Sequence, residues 1–185
     1  MTDLFPARRT TPLPGGYMGK ILRVNLTAGA LKDENLPEEP ILRKFIGGQA
    51  LALYILMNEL PIDATPFGPE NIVVIMTGPL TGNGFTPGGT KMTAVYLSPL
   101  TNTTLGRGAT SGYWGTYLKA AGYDGIIVRS AVYPDGHFLG WTPGQAAPLL
   151  PSGFAWTLAP RSDLVIQLRR SPYAGLEVVV KRPPR

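Results

Sequence analysis

"SGYWGTYLKAAGYDGIIV", residues 111–128, changes period halfway along. In its first half Tyr113, Tyr117, Leu118 and Ala121 recur at the spacing of one helix face, and Gly122 is the residue type that most readily ends a helix. In its second half Gly125-Ile126-Ile127-Val128 opens "GIIVRSA" (125–131), which reads as one more strand. The stretch therefore predicts a short helix delivered directly onto a strand. Asp124 lies at the join, after Gly-Tyr, and is read as fixing a turn rather than binding metal. Trp114 has two readings, stacking on a ligand or burial in the core, and burial is the commoner state of an aromatic at such a junction.

Upstream, "LTNTTLGRGATSG" (residues 100–112) is glycine-rich and reads as a loop leading into that helix. Before it, "ENIVVIMTGPL" (70–80) is a compact apolar strand, followed by a loop over residues 77–90 and a strand from about Lys91 to Leu97. "GKILRVNLTAGALKDENL" (19–36) predicts an antiparallel hairpin turning at Thr27-Ala28-Gly29, with Ile21, Val24 and Leu26 as core residues. "PEEPILRKFIGGQALALYILMNELP" (37–61) has helical spacing at Ile41, Phe45, Leu51, Tyr54, Ile55 and Glu59, which predicts two helices broken at Gly47-Gly48 and stopped by Pro61. Glu38 and Glu39 favour the first helix N-terminus by their charge. Gln49 opens the second helix, where backbone N–H groups can receive an anion.

Downstream the character changes after about Ala131. Residues 136–162 contain no acidic residue, and "DLVIQLRR" and "LEVVVKR" are the only strand-like pieces before a frayed "KRPPR". The expected organisation is a flexible tail over 1–16, a domain over 17–140, and a divergent basic extension over 141–185.

Composition limits the chemistry. The chain of 185 residues has no cysteine, which removes disulfides, thiolate nucleophiles and cysteine-ligated zinc or iron–sulfur clusters. It holds 23 glycines and 19 prolines, about twice the usual combined share, so short strands and tight turns are expected. The net charge of +5 is concentrated at the C-terminal end: residues 161–185 carry six basic residues against Asp163 and Glu177, leaving +1 for all the rest. A nucleic-acid face is therefore unsupported. No apolar run has the length of a membrane helix and the first residues lack a signal-peptide core, so a cytoplasmic protein without membrane contact is expected.

The common catalytic fingerprints fail. "GFTPGGTK" (84–91) lacks phosphate-loop spacing, and "GNG" from Gly82 and "GRG" from Gly106 lack the third glycine of a dinucleotide fingerprint. His137 is the only histidine, in a Pro/Asp/Gly turn, with no nucleophile–base set around it. What remains is a pair of glycine-rich loops, 77–90 and 106–115, with Thr90, Thr110, Ser111, Lys91 and Arg107. Such a surface suits a flat polyanion held through the main chain, and hairpin punctuation is the other reading.

In order along the chain, "GKILRVNLTAGAL", "FIGGQALALYIL", "FGPENIVVIMTGPLTG", "PGGTKMTAVYLSPLT" and "SGYWGTYLKAAGYDGIIV" resemble the N-terminal domain of the aldehyde ferredoxin oxidoreductase family, over about residues 17–131. The resemblance implies an α+β fold of two packed mixed or antiparallel β-sheets with a few short helices. It implies a tungsten- or molybdenum-bis-pterin cofactor lying on that base, contacted by Gly88, Gly89, Thr90, Lys91, Ala109, Thr110, Ser111 and Gly112. In the family, electrons from aldehyde oxidation leave through a [4Fe–4S] cluster to ferredoxin, and the cluster cysteines come from helical domains beyond this one.

Three positions depart from the family pattern. Lys91 stands where an arginine is expected, keeping the charge without the bidentate fork. Ala109 replaces an asparagine that contributes to a magnesium between the pterins, and alanine has no such oxygen. Gln49 replaces a basic residue. The expected role is thus that of a split subunit or gene fragment, not self-sufficient for aldehyde oxidation, completed by a helical cysteine-bearing partner and reaching ferredoxin only through that complex. The alternative is a non-catalytic binding or assembly module with a decayed pterin site. Residues 141–185 fit either shifted-frame read-through or a lineage-specific extension.

Overall fold

A computed structural model describes residues 12–25, 28, 30–66, 68–98, 104–129, 165–171 and 175–181. The chain forms two compact units, residues 1–131 and 132–185.

The first unit is built on one six-stranded mixed sheet. Strands β1 (Lys20–Asn25) and β2 (Ala30–Asn35) form the expected hairpin, with Ile21 and Val24 fully buried. Leu26 lies outside the described residues. Helices α1 (Glu39–Phe45) and α2 (Gly48–Glu59) follow, then β3 (Ile72–Thr77), β4 (Met92–Leu97), β5 (Leu105–Thr110), α3 (Tyr113–Ala120) and β6 (Gly125–Arg129). The sheet order is β2-β1-β6-β3-β4-β5. Strand β6 inserts between β1, which it meets in parallel, and β3, which it meets antiparallel. The opening stretch of sequence thus supplies the central junction of the sheet.

The core lies between α2 and one sheet face. Leu51, Ala52, Ile55 and Leu56 share one side of α2 and meet Ile21, Ile72, Val74, Met76, Val95 and Ile127, all buried. These strand residues occupy one face of the ladder register, as alternation requires. Arg23 on the same face clamps the far end of α2, giving Glu59 two hydrogen bonds of 2.9 and 2.8 Å and Glu34 of β2 one of 2.9 Å. Burial works to lower the Arg23 pKa, but the bonds and charges of Glu59 and Glu34 outweigh it and hold the pKa above its ordinary value.

The α+β class is as expected, and the sheet is mixed. A second sheet is present as the two-stranded antiparallel ladder of β7 (Val165–Ser171) and β8 (Gly175–Lys181), within the second unit. One segment differs from its sequence reading: residues 105–110 form an edge strand rather than a loop. Its glycines hide the strand pattern, and Gly106 has a packing reason, since a Cβ there would run into the Tyr96 ring. The helix break falls at Ile46-Gly47, one residue before the predicted Gly47-Gly48. Trp114 is 4% exposed, the burial reading.

Candidate functional site

The connection between β3 and β4, residues 78–91, is far longer than the usual two to five residues of a hairpin loop and is internally organised. The Thr81 hydroxyl accepts the Gly78 N–H at 3.1 Å and donates to the Lys91 carbonyl at 2.9 Å, stapling the loop's two ends. The Gly82 N–H donates to the Gly89 carbonyl at 2.7 Å. Inside, the Asn83 side chain accepts the N–H groups of Phe85 and Thr86 and donates to the Thr86 hydroxyl, an Asx-type turn.

Strand register brings the sequence-predicted residues together. Met92 pairs with Thr110, so Gly88–Lys91 and Thr110–Gly112 meet at one end of the sheet. The Gly112 N–H reaches the Thr90 hydroxyl at 3.4 Å. Lys91, Gly88, Ser111 and Gly112 are exposed, and Gly89, Thr90 and Thr110 half-buried. Ala109 stands one step inside the strand, opposite Thr93. Ala109 is exposed, and by alternation it lies on the same side of the sheet as Arg107, whose guanidinium donates to Gln49 Oε1 at 2.6 Å in the first turn of α2.

Two helix N-termini border this surface. α2 begins at N-cap Gly47 and α3 at N-cap Gly112, neither with a side-chain cap, so no side chain occupies the first N–H groups at these positive dipole ends. A Cβ built on Gly88, Gly108 or Gly112 would meet nothing within 4 Å, so a flat ligand can approach that backbone closely. With Lys91 and Arg107 added, the donor set suits phosphate or another polyanionic group. It does not suit direct metal ligation: among the described residues no group of three His, Cys, Asp or Glu could hold an ion.

The glycine turns are seated closely. A Cβ on Gly47 would lie 2.9 Å from the Thr77 carbonyl and 3.0 Å from Gly78 Cα, and one on Gly16 would lie 2.5 Å from the Pro79 carbonyl. Between them runs a network that sequence reasoning missed. Lys119 and Asp124, 5% and 1% exposed, form a 2.5 Å ion pair. Lys119 Nζ also donates to the Gly16 carbonyl, and its charge lies 5.8 Å from the Tyr17 ring centre. Asp124 Oδ2 accepts the N–H groups of Met18 and Gly19 at 2.8 and 2.7 Å, while its carbonyl accepts the Thr77 N–H and hydroxyl. Asp124 does fix a turn, as read from sequence, but it also joins three separated pieces of chain: the end of α3, residues 18–19 and the end of β3. Helical periodicity gave no signal for Lys119, because a charged residue on a short helix normally faces solvent. The Tyr17 hydroxyl, which donates to the Ile46 carbonyl, has a pKa raised by burial and by the negative charge of Asp124.

The family profile described as "Aldehyde ferredoxin oxidoreductase, N-terminal domain" matches residues 21–132. The tungsten-containing aldehyde ferredoxin oxidoreductase of Pyrococcus abyssi is 43% identical over 114 residues, covering 62% of this chain and 18% of that protein. The WOR-like subunit of aliphatic sulfonate oxidoreductase from Pyrococcus furiosus is 46% identical over 118 residues, covering 61% of this chain and 18% of that protein. Among solved structures, the active-site complex BamBC of benzoyl coenzyme A reductase with 1,5-dienoyl-CoA superimposes with a TM-score of 0.58 at 30% identity, over 63% of this chain and 18% of that one. The chain spans about a fifth of the length of these relatives.

Proposed function

This chain belongs to the aldehyde ferredoxin oxidoreductase family, whose N-terminal domain it carries, and from that premise we propose that it supplies part of the base on which a tungsten-pterin cofactor is held. The observation that carries the reading is the meeting of Gly88–Lys91 with Thr110–Gly112 at one sheet end, beside two helix N-termini without side-chain caps. The backbone N–H groups there, with Lys91 and Arg107, would take the anionic groups of a pterin, and Thr90 and Ser111 would take its polar edge. When bound, such a cofactor supplies the two-electron redox chemistry, with either tungsten or molybdenum as its metal. This chain's part is to bind and orient.

Aldehyde oxidation, on this reading, requires a helical cysteine-bearing portion that supplies the [4Fe–4S] cluster and passes electrons to ferredoxin, because no cysteine is present here. We place the assembly in the cytoplasm; no helix among the described residues is long and apolar enough to cross a membrane. The expected organisation, a tail over 1–16, the cofactor domain over 17–140 and a basic extension over 141–185, is part of the same proposal.

A second reading is favoured by Phe85 and Leu80, 94% and 58% exposed on the loop itself. With Lys91, Ala109 and Gln49 departing from the family pattern, the loop would serve as an assembly surface without cofactor. Aldehyde-dependent dye reduction separates the two. The full chain alone is expected to be inactive, and the chain co-purified with a cysteine-bearing helical portion of the family active. A stable complex without activity favours the assembly reading.

A further inference from the structure

We propose that Lys119 and Asp124 are positioning residues, which set the glycine-rich loop 78–91 and the α1–α2 turn relative to each other through a strap formed by residues 16–19. Only the identity of what the loop receives rests on the functional reading above; the mechanical link does not.

Two buried charges are a costly way to hold a fold together, because apolar residues of the same size would often serve stability as well. What this pair obtains is connection. Lys119, near the end of α3, grips the strap at the Gly16 carbonyl, and Asp124, at the start of β6, grips it at the N–H groups of Met18 and Gly19. The strap then reaches both turns. Gly16 presses on Pro79, which leaves no room for a Cβ, and Tyr17 donates its hydroxyl to the Ile46 carbonyl.

A second route runs from Asp124 through the β3 end. Its carbonyl holds Thr77, Thr77 continues into Gly78, and the Thr81 hydroxyl joins Gly78 to the Lys91 carbonyl. Both routes end on the segment that carries Gly88–Lys91.

Ile46 shows that the turn needs holding. It is the one described non-glycine residue with positive φ, at 59°, and it closes a three-residue turn through the Gly47 N–H and the Phe45 carbonyl. A β-branched side chain is strained there, and such a conformation persists only where its surroundings enforce it. The Tyr17 hydroxyl on the Ile46 carbonyl and the backbone of Thr77 and Gly78 against Gly47 are those surroundings.

Residue-resolved hydrogen exchange on the full chain tests this. In Lys119→Met, the amides of Met18, Gly19, Gly82, Gly89 and Thr90 are expected to exchange about tenfold faster or more, while the β1–β2 ladder and α2 keep their rates. Uniform acceleration through β1 and α2 would mean the pair only stabilises the fold, and acceleration confined to residues 16–19 would mean the strap does not reach the loop; either overturns the proposal. Gly16→Ala leaves the ion pair's side chains in place and displaces the strap from Pro79, so it keeps the test open if Lys119→Met does not fold. It should accelerate the same loop amides, and unchanged rates there overturn the proposal. Tyr17→Phe should accelerate Ile46 and Gly47 alone, and no change at those two amides contradicts the strap's hold on the turn.

Discussion

Lys91 keeps a positive charge at the mouth of the loop but, as a flexible ammonium, gives one direction of contact where a guanidinium gives a fork. Ala109, exposed on β5, brings no side-chain oxygen to that surface. Thr116 of α3 has a buried hydroxyl with no hydrogen-bond partner among the described residues. Thr116→Val keeps the shape and removes an unpaired polar atom, so stability should be unchanged within about 0.5 kcal/mol or should rise. A clear loss in thermal unfolding would reveal a partner for that hydroxyl. Tyr123 donates to Asp33 at 2.8 Å, and burial, then this bond and the Asp33 charge, push its pKa from 10.0 up to about 12. The folded state therefore favours protonated Tyr123, a contribution complete below pH 10 and lost as pH rises through about 12. Tyr123→Phe should flatten stability against pH across that window; an unchanged alkaline slope would show that the bond does not carry it.

At the scale of elements, α2 is held at both ends by arginines from the sheet, Arg23 to Glu59 and Arg107 to Gln49. Its N-terminus is set by how closely Gly47 approaches the end of β3. Gly47→Ala places a Cβ against backbone that cannot swing aside, and should cost about 1–3 kcal/mol in denaturant unfolding. A neutral result would mean the α1–α2 turn shifts freely and does not fix the loop. The elements differ in how well sequence revealed them. The β1–β2 hairpin, α3 and the β3, β4 and β6 strands could be read because apolar period and glycine boundaries agree there. Strand β5 could not, because two glycines and an arginine leave an edge strand without a hydrophobic stripe. The site was half legible. Glycine and hydroxyl composition singled out the two segments that meet, but Thr81, Lys119 and the 16–19 strap act through tertiary hydrogen bonds that leave no period in the chain. "TGPLTG" begins a loop that Thr81 closes onto Lys91, a bond no sequence pattern announces.

For the molecule as a whole, the family is shown by the match over residues 21–132, and the two units of the chain divide at 131 and 132. Residues 161–185 carry a net +4 of the chain's +5. The sheet end that carries the candidate site has donors and cations but no metal-ligating cluster among the described residues. On the proposed function it would receive a ligand that brings its own metal, and other protein would carry the electrons away. The most direct test is the tungsten content, by elemental mass spectrometry, of the full chain co-purified with a cysteine-bearing helical portion of the family from cells supplied with tungstate. Stoichiometric tungsten is expected in that complex, with a strong reduction when Lys91 and Arg107 are both changed to glutamate and the complex still forms. A stable complex that contains neither tungsten nor molybdenum would contradict the proposed function.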